Sequence, residues 1–142
     1  MKLFNLFKKY EPETTNPEEL ERMHNKFLGD LGEKAAVKFL WDNGLRILEK
    51  NYRNEFGEID IIAEEDETVI FLEVKTRTSD SYGSPEEAVD SFKQKHILQS
   101  ARLYLKTQDV NDRDIRFDVV SIIHNEETKK NEINWIRDAF TG

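Results

Sequence analysis

The sequence predicts an α/β fold, a mixed central β-sheet flanked by α-helices, and three observations carry that expectation. A long stretch of apolar residues at helical spacing comes first, and three β-rich runs follow it closely. A second helical stretch then separates those runs from two further strands. Asn16 is a good N-cap, Pro17 suits the first helical position, and Glu18 and Glu19 complement the positive helix end. Leu20, Met23, Phe27, Leu31, Ala35 and Leu40 recur at helical spacing, and "DNG" places Gly44 as a C-terminal cap. The first helix is therefore expected over roughly residues 17–43. Gly29 and Gly32 share one face, each at about 1 kcal/mol relative to Ala, and imply close packing or a break.

"LRILEKNYR", "EIDIIA" and "TVIFLEVKTR" read as a three-strand meander, with the acidic "EEDE" as its second turn. Ser84 as N-cap and Pro85 at the first position open a second helix that runs to about residue 106. "DVNDRD" breaks it; "IRFDVVSII" and "EINWIRDAF" are the last two strands. Trp41 and Trp135 are expected in the core or covering the sheet, and His96 and His124 in packing or at the surface. Residues 1–16 read as a flexible N-terminal tail, and residues 17–142 as a single domain.

Composition narrows the function. No apolar run approaches the roughly 18 residues that a membrane helix needs, and the opening "MKLFNLFKKY" is too short for a secretory signal, so a cytoplasmic protein is expected. The absence of cysteine removes thiol catalysis, disulfides and thiolate-bound metals together. Three scattered histidines share no ligand spacing, which leaves oxygen as the donor for any metal. A net charge of −8 argues against a general nucleic-acid coating protein; local cations must make any phosphate contacts. The candidates are Arg53, Arg77 and Lys93, with Lys95, Gln99 and Arg102 on one side of the second helix. A solvated helix face is the plainer account of each alone. Tyr52, Phe56 and Tyr82 are placed to stack on unpaired bases or to pack in the core.

The sharpest signal lies in the hairpin "GEIDIIAEEDETVIFLEVKTR". An even-numbered loop centred between Asp66 and Glu67 sets Asp60 opposite Glu73, Ile62 opposite Phe71 and Glu58 opposite Lys75. Side chains two apart project the same way, about 6.7 Å along a strand, so Asp60, Glu73 and Lys75 converge. Facing carboxylates destabilise a sheet unless a cation offsets them. A hard divalent ion such as Mg²⁺, with Mn²⁺ as substitute, fits two carboxylates plus water, and a neighbouring ammonium can stabilise charge on a phosphate. Phosphodiester hydrolysis needs this set. The alternative, a solvated strand face, is less suited to strands apolar on both parities.

These residues resemble a known family. "GEIDIIA" followed by "FLEVKTR" is similar to the D…ExK core of the PD-(D/E)XK nuclease superfamily. "LGEKAA", "NYRNEFGEIDIIA", "KQKHILQSARLYL", "RFDVVSI" and "WIRDAF", in that order, resemble its YraN-like bacterial branch over roughly residues 26–140. The resemblance implies a restriction-endonuclease-like fold related to Holliday-junction resolvases, with Asp60 and Glu73 holding metal and Lys75 as the catalytic lysine. It adds Glu33 of "GEKAA" to the catalytic and metal-binding set and makes Glu58 accessory. DNA, branched or junction-containing, is the implied partner, and resolving a symmetric junction would require a homodimer. A catalytically weak nucleic-acid-binding or adaptor module with the same fold is the alternative.

Overall fold

The structure, a computed structural model, describes residues 14–78, 89–110 and 112–141. Most of the expected tail, together with Tyr82, Ser84 and Pro85, lies outside the described residues. Helix α1 (Pro17–Asp42) begins as its sequence dictates: the Asn16 side chain accepts the Glu18 N–H at 2.9 Å, ahead of Pro17. It ends at Asn43 and Gly44, the latter at φ +88°, a conformation that suits a residue without Cβ.

Strands β1 (Arg46–Asn54), β2 (Gly57–Glu65) and β3 (Thr68–Thr78) form the expected meander. After α2 (Ser91–Thr107) come β4 (Ile115–His124) and β5 (Asn131–Phe140). The five strands lie in sequence order, antiparallel except for β3 and β4, which run parallel. A parallel pair needs a crossover connection, and α2 lies within that connection. One face of the sheet packs Ile59, Phe71, Phe117 and Val119 against Ile97, Ala101 and Tyr104 of α2. The other packs Ile61, Ile70, Leu72 and Val120 against Ala36 and Leu40 of α1. The result is a mixed sheet with a helix on each side, an α/β fold of restriction-endonuclease-like kind.

Three details differ from the sequence expectation. The second helix does not run on from Ser84: its described part starts at Ser91, with Asp90 extended (φ −70°, ψ 169°) and its carboxylate accepting the Lys93 N–H at 2.8 Å. Asp there satisfies an orphan donor of the first turn, which favours starting a helix over continuing one. The expected apolar stripe of α1 is buried only at its C-terminal end, through Leu28, Gly32, Ala36 and Leu40. Leu20, Met23 and Phe27 stay exposed because α1 meets the sheet only from about Leu28 onward. Trp41 is 67% exposed, since Leu40 beside it takes the inward position at the helix end; Trp135 packs edge-on to Phe39, as expected of a sheet-covering residue.

Gly32 is the close-packing glycine. A Cβ there would lie 1.7 Å from Thr76 Oγ1 and 2.8 Å from Thr76 Cβ, whereas one at Gly29 would meet nothing within 4 Å. Gly32→Ala is expected to lower stability by about 1–3 kcal/mol despite its better helix propensity. Gly29→Ala, on the same helix, should raise it by up to about 1 kcal/mol. Thermal melts of both variants check this, and adding Thr76→Ala to Gly32→Ala should recover part of the loss.

At the far side of the sheet, β4 and β5 slip register between Phe117 and Val119, and Asp138 adopts φ 52°. Asp118 fills the irregularity. Fully buried, it accepts the Arg116 guanidinium at 2.8 and 2.9 Å, the Trp135 indole N–H at 2.9 Å and the Asp138 N–H at 2.9 Å.

Candidate active site

The β2–β3 ladder has the register expected from its turn, with Ile62 opposite Phe71 and Ile61 opposite Leu72, where the backbone pairing ends. One residue further, Asp60 Oδ2 accepts the Val74 N–H at 2.8 Å, so a side chain takes the place of a strand carbonyl. Asn51, in the neighbouring β1, has φ 52°, and Ile59 and Ile61 pack on opposite faces of the sheet although two apart. The strand thus rolls at Asp60 as β2 parts from β3. The expected pairing of Glu58 with Lys75 is not formed, because beyond this fork β2 follows β1: Glu58 pairs with Arg53, their charged groups 3.2 Å apart.

Glu73 extends from β3 toward α2 and is only 4% exposed. Two ammonium groups attend it. Lys93, from the first turn of α2, ion-pairs directly with Glu73 Oε1, and Lys75 Nζ lies 3.8 Å from the same oxygen. Burial and the charge of Glu73 push the Asp60 carboxyl up from 3.8 to about 7, the two carboxyl groups lying close enough to interact directly. Burial, reinforced by the charge of Lys93, lowers the pKa of Lys75. Burial opposes the charge of Lys93 as well, but its bond to Glu73 prevails and raises its pKa.

Glu33 of α1 comes within electrostatic reach. Its pKa is raised by burial and by Asp60, while a hydrogen bond from the Asn51 side chain works the other way. Asp60, Glu73, Glu58 and Lys93 line a cleft of about 380 Å³, whose rim carries Phe92 and His96. Among the described residues no three carboxylates or histidines are close enough to make a complete metal cage. The donor set nevertheless suits a hard cation. Two neighbouring carboxyl groups, one with its proton affinity raised by burial and repulsion, are the pair that a divalent ion with retained waters would relieve.

A family model described as "Uncharacterised protein family UPF0102" matches residues 32–122, which span Glu33, the hairpin, α2 and most of β4. The chain belongs to the UPF0102 family. UPF0102 is the YraN-like family, a member of the PD-(D/E)XK-like nuclease superfamily. Among its relatives, a UPF0102 protein of Clostridium perfringens is 44% identical over 119 residues, covering 84% of this chain and 98% of the relative. One from Persephonella marina is 45% identical over 112 residues (79% and 91%), and one from Geobacter metallireducens 50% over 100 (70% and 82%).

In this UPF0102 chain the expected phosphate-binding residues do not gather in one place. Lys93 stands in the cleft bound to Glu73, and Arg53 sits at its edge with Glu58. Arg77 continues β3, half-buried. Lys95 and Gln99 lie outside the inward face of α2, and Arg102 lines a separate cavity of about 280 Å³ beside Arg116 and Phe140. Tyr52 is a core residue, edge-on to Tyr104 at 5.2 Å, whereas Phe56 is 37% exposed. His124 bonds the Asn131 side chain at 2.7 Å. Sequence reasoning assigned Lys93 to phosphate contacts and missed its bond to Glu73; the readable signal was "VDSFK", where an Asp cap fixes the first helical turn. Phe92 was missed altogether. No described helix is long and apolar enough to cross a membrane.

Proposed function

We propose that this UPF0102 protein is a divalent-metal-dependent DNA endonuclease that hydrolyses phosphodiester bonds. One arrangement carries the proposal: Asp60 and Glu73 in contact at the fork between β2 and β3, with Lys75 and Lys93 against Glu73. Asp60 and Glu73 would hold Mg²⁺ or Mn²⁺, and Glu33, within electrostatic reach of Asp60 but not in contact range of both, would have to swing in to join them. Bound there, the ion supplies positive charge against the phosphoryl oxygens. Lys75 offsets negative charge developing at phosphorus. Lys93 neutralises Glu73 and would have to yield part of that carboxylate to a bound ion. Branched or junction DNA is the substrate that superfamily analogy favours, and a symmetric junction would call for a homodimer.

The direct Lys93–Glu73 pair favours a second reading, in which the carboxylate is neutralised from within and the fold serves as a DNA-binding or adaptor module. Comparing wild type with Glu73→Ala and Lys75→Ala separates the two. The substrates are labelled four-way junction, flap, duplex and single-stranded DNA, with Mg²⁺, Mn²⁺ or EDTA. The nuclease reading expects metal-dependent cutting that falls about a hundredfold or more in both variants. DNA binding without cutting, unaffected by EDTA or by either substitution, would establish the adaptor.

A further inference from the structure

We propose that Phe92, backed by His96 and flanked by Phe56, forms a stacking platform for an unpaired nucleobase at the rim of the carboxylate cleft. This rests on the nuclease reading and narrows its substrate to DNA with an unpaired or splayed base beside the bond that is cut. Phe92 is the most exposed large apolar residue among those described, at 72%. Leaving such a ring in water forgoes the favourable burial of its apolar surface. Its setting is ordered. Phe92 and His96 lie one helical turn apart on α2, their rings edge-to-face with centroids 4.5 Å apart.

His96 is in turn fixed across the cleft mouth. Its Nδ1 lies 2.8 Å from the Phe56 carbonyl oxygen at the β1–β2 turn, and Gly57, at φ +146°, brings that turn close to the His96 Cβ. The partly exposed Phe56 belongs to the same turn. The adjoining residue on α2 is Lys93, bound to Glu73, so aromatic surface and candidate catalytic carboxylate share one cleft. An exposed ring can receive any base through its π-face. Paired bases inside a duplex have both faces covered by their neighbours and cannot use it, whereas an unpaired or extruded base can. With Glu73 neutralised by Lys93, Lys75 is left to supply positive charge for the adjoining phosphates in a protein whose net charge is otherwise repulsive.

The test uses the full chain in EDTA, so that binding is read without cutting. The probes are a splayed fork with 2-aminopurine at the last unpaired position and a duplex with the same base fully paired. Wild type should quench the fork probe by stacking. Phe92→Ala and Phe92→Leu should lose that quench and bind the fork about tenfold more weakly, with duplex binding changed less than twofold. Both should melt within about 2 °C of wild type, since an exposed side chain is being replaced. Unchanged fork binding and quench in the variants would overturn the platform and point to a protein partner for Phe92; equal losses on fork and duplex would overturn it as well. Metal-dependent cutting by wild type without the quench would discard the platform and keep the nuclease. A quench lost in both Phe92 variants, in a protein that never cuts, would keep the platform and discard the nuclease.

Discussion

Asp60→Asn should melt at a higher temperature than wild type while losing more than about a hundredfold of any metal-dependent cleavage. Burial and the charge of Glu73 raise the Asp60 carboxyl from 3.8 to about 7. Between those values the folded chain retains a proton that the unfolded chain has released. Stability therefore falls as pH rises from about 4 to about 7, and the deficit is complete above 7. A three-unit shift sets a ceiling on the order of 4 kcal/mol. Lys93 and Lys75 lose an attractive neighbour on substitution, so a net gain on the order of 2 kcal/mol is expected, about 5 °C for a domain of this size. The asparagine oxygen still accepts the Val74 N–H. The advantage of the variant should vanish near pH 4, grow to pH 7 and then level off, as melts at successive pH values would show. Millimolar Mg²⁺ should raise the melting temperature of wild type but not of Asp60→Asn. A variant no more stable than wild type at pH 8 would contradict the strained carboxyl.

Asp118→Ala should destabilise the fold by about 3–5 kcal/mol. The carboxylate is fully buried and takes four hydrogen bonds from three residues on β4 and β5. Its removal leaves the Arg116 guanidinium, itself mostly covered, without its main counter-charge, although Glu65 remains 3.5 Å away. It also strands the Trp135 indole N–H and the Asp138 amide. Asp118→Asn should cost less: shape is kept, but one oxygen becomes a donor facing donors. Urea unfolding with an unchanged slope measures the difference, and Trp135 fluorescence reports whether the β4–β5 irregularity persists. A loss below about 1 kcal/mol for the alanine variant would mean that water replaces the carboxylate.

Wherever backbone pattern alone sets structure, this sequence is transparent. Asn16, Pro17 and Gly44 mark both ends of α1 to within a residue, and the short acidic turn fixes the β2–β3 register at Ile62–Phe71. Asp60, Glu73 and Lys75 were legible as a group because two-residue periodicity and that register place them together. Legibility stops where side chains replace backbone. Asp60 ends the ladder by bonding Val74, so extrapolating the register to Glu58 and Lys75 fails, and Glu58 turns to Arg53. Lys93 approaches Glu73 from a different element, a contact that no local pattern encodes. The apolar spacing of Leu20, Met23 and Phe27 predicts a helix correctly but not how far that helix overlaps the sheet.

On its β2 side the Val74 amide donates to the Asp60 carboxylate and not to a strand carbonyl. A strand amide usually resists deuterium exchange in concert with its ladder neighbours, whereas this one is shielded by a carboxylate. Its exchange rate is therefore a local gauge of how often β2 and β3 come apart at the fork, separable from global unfolding. A single backbone proton, followed by isotope exchange with and without DNA or metal, would record the opening of the site without any turnover.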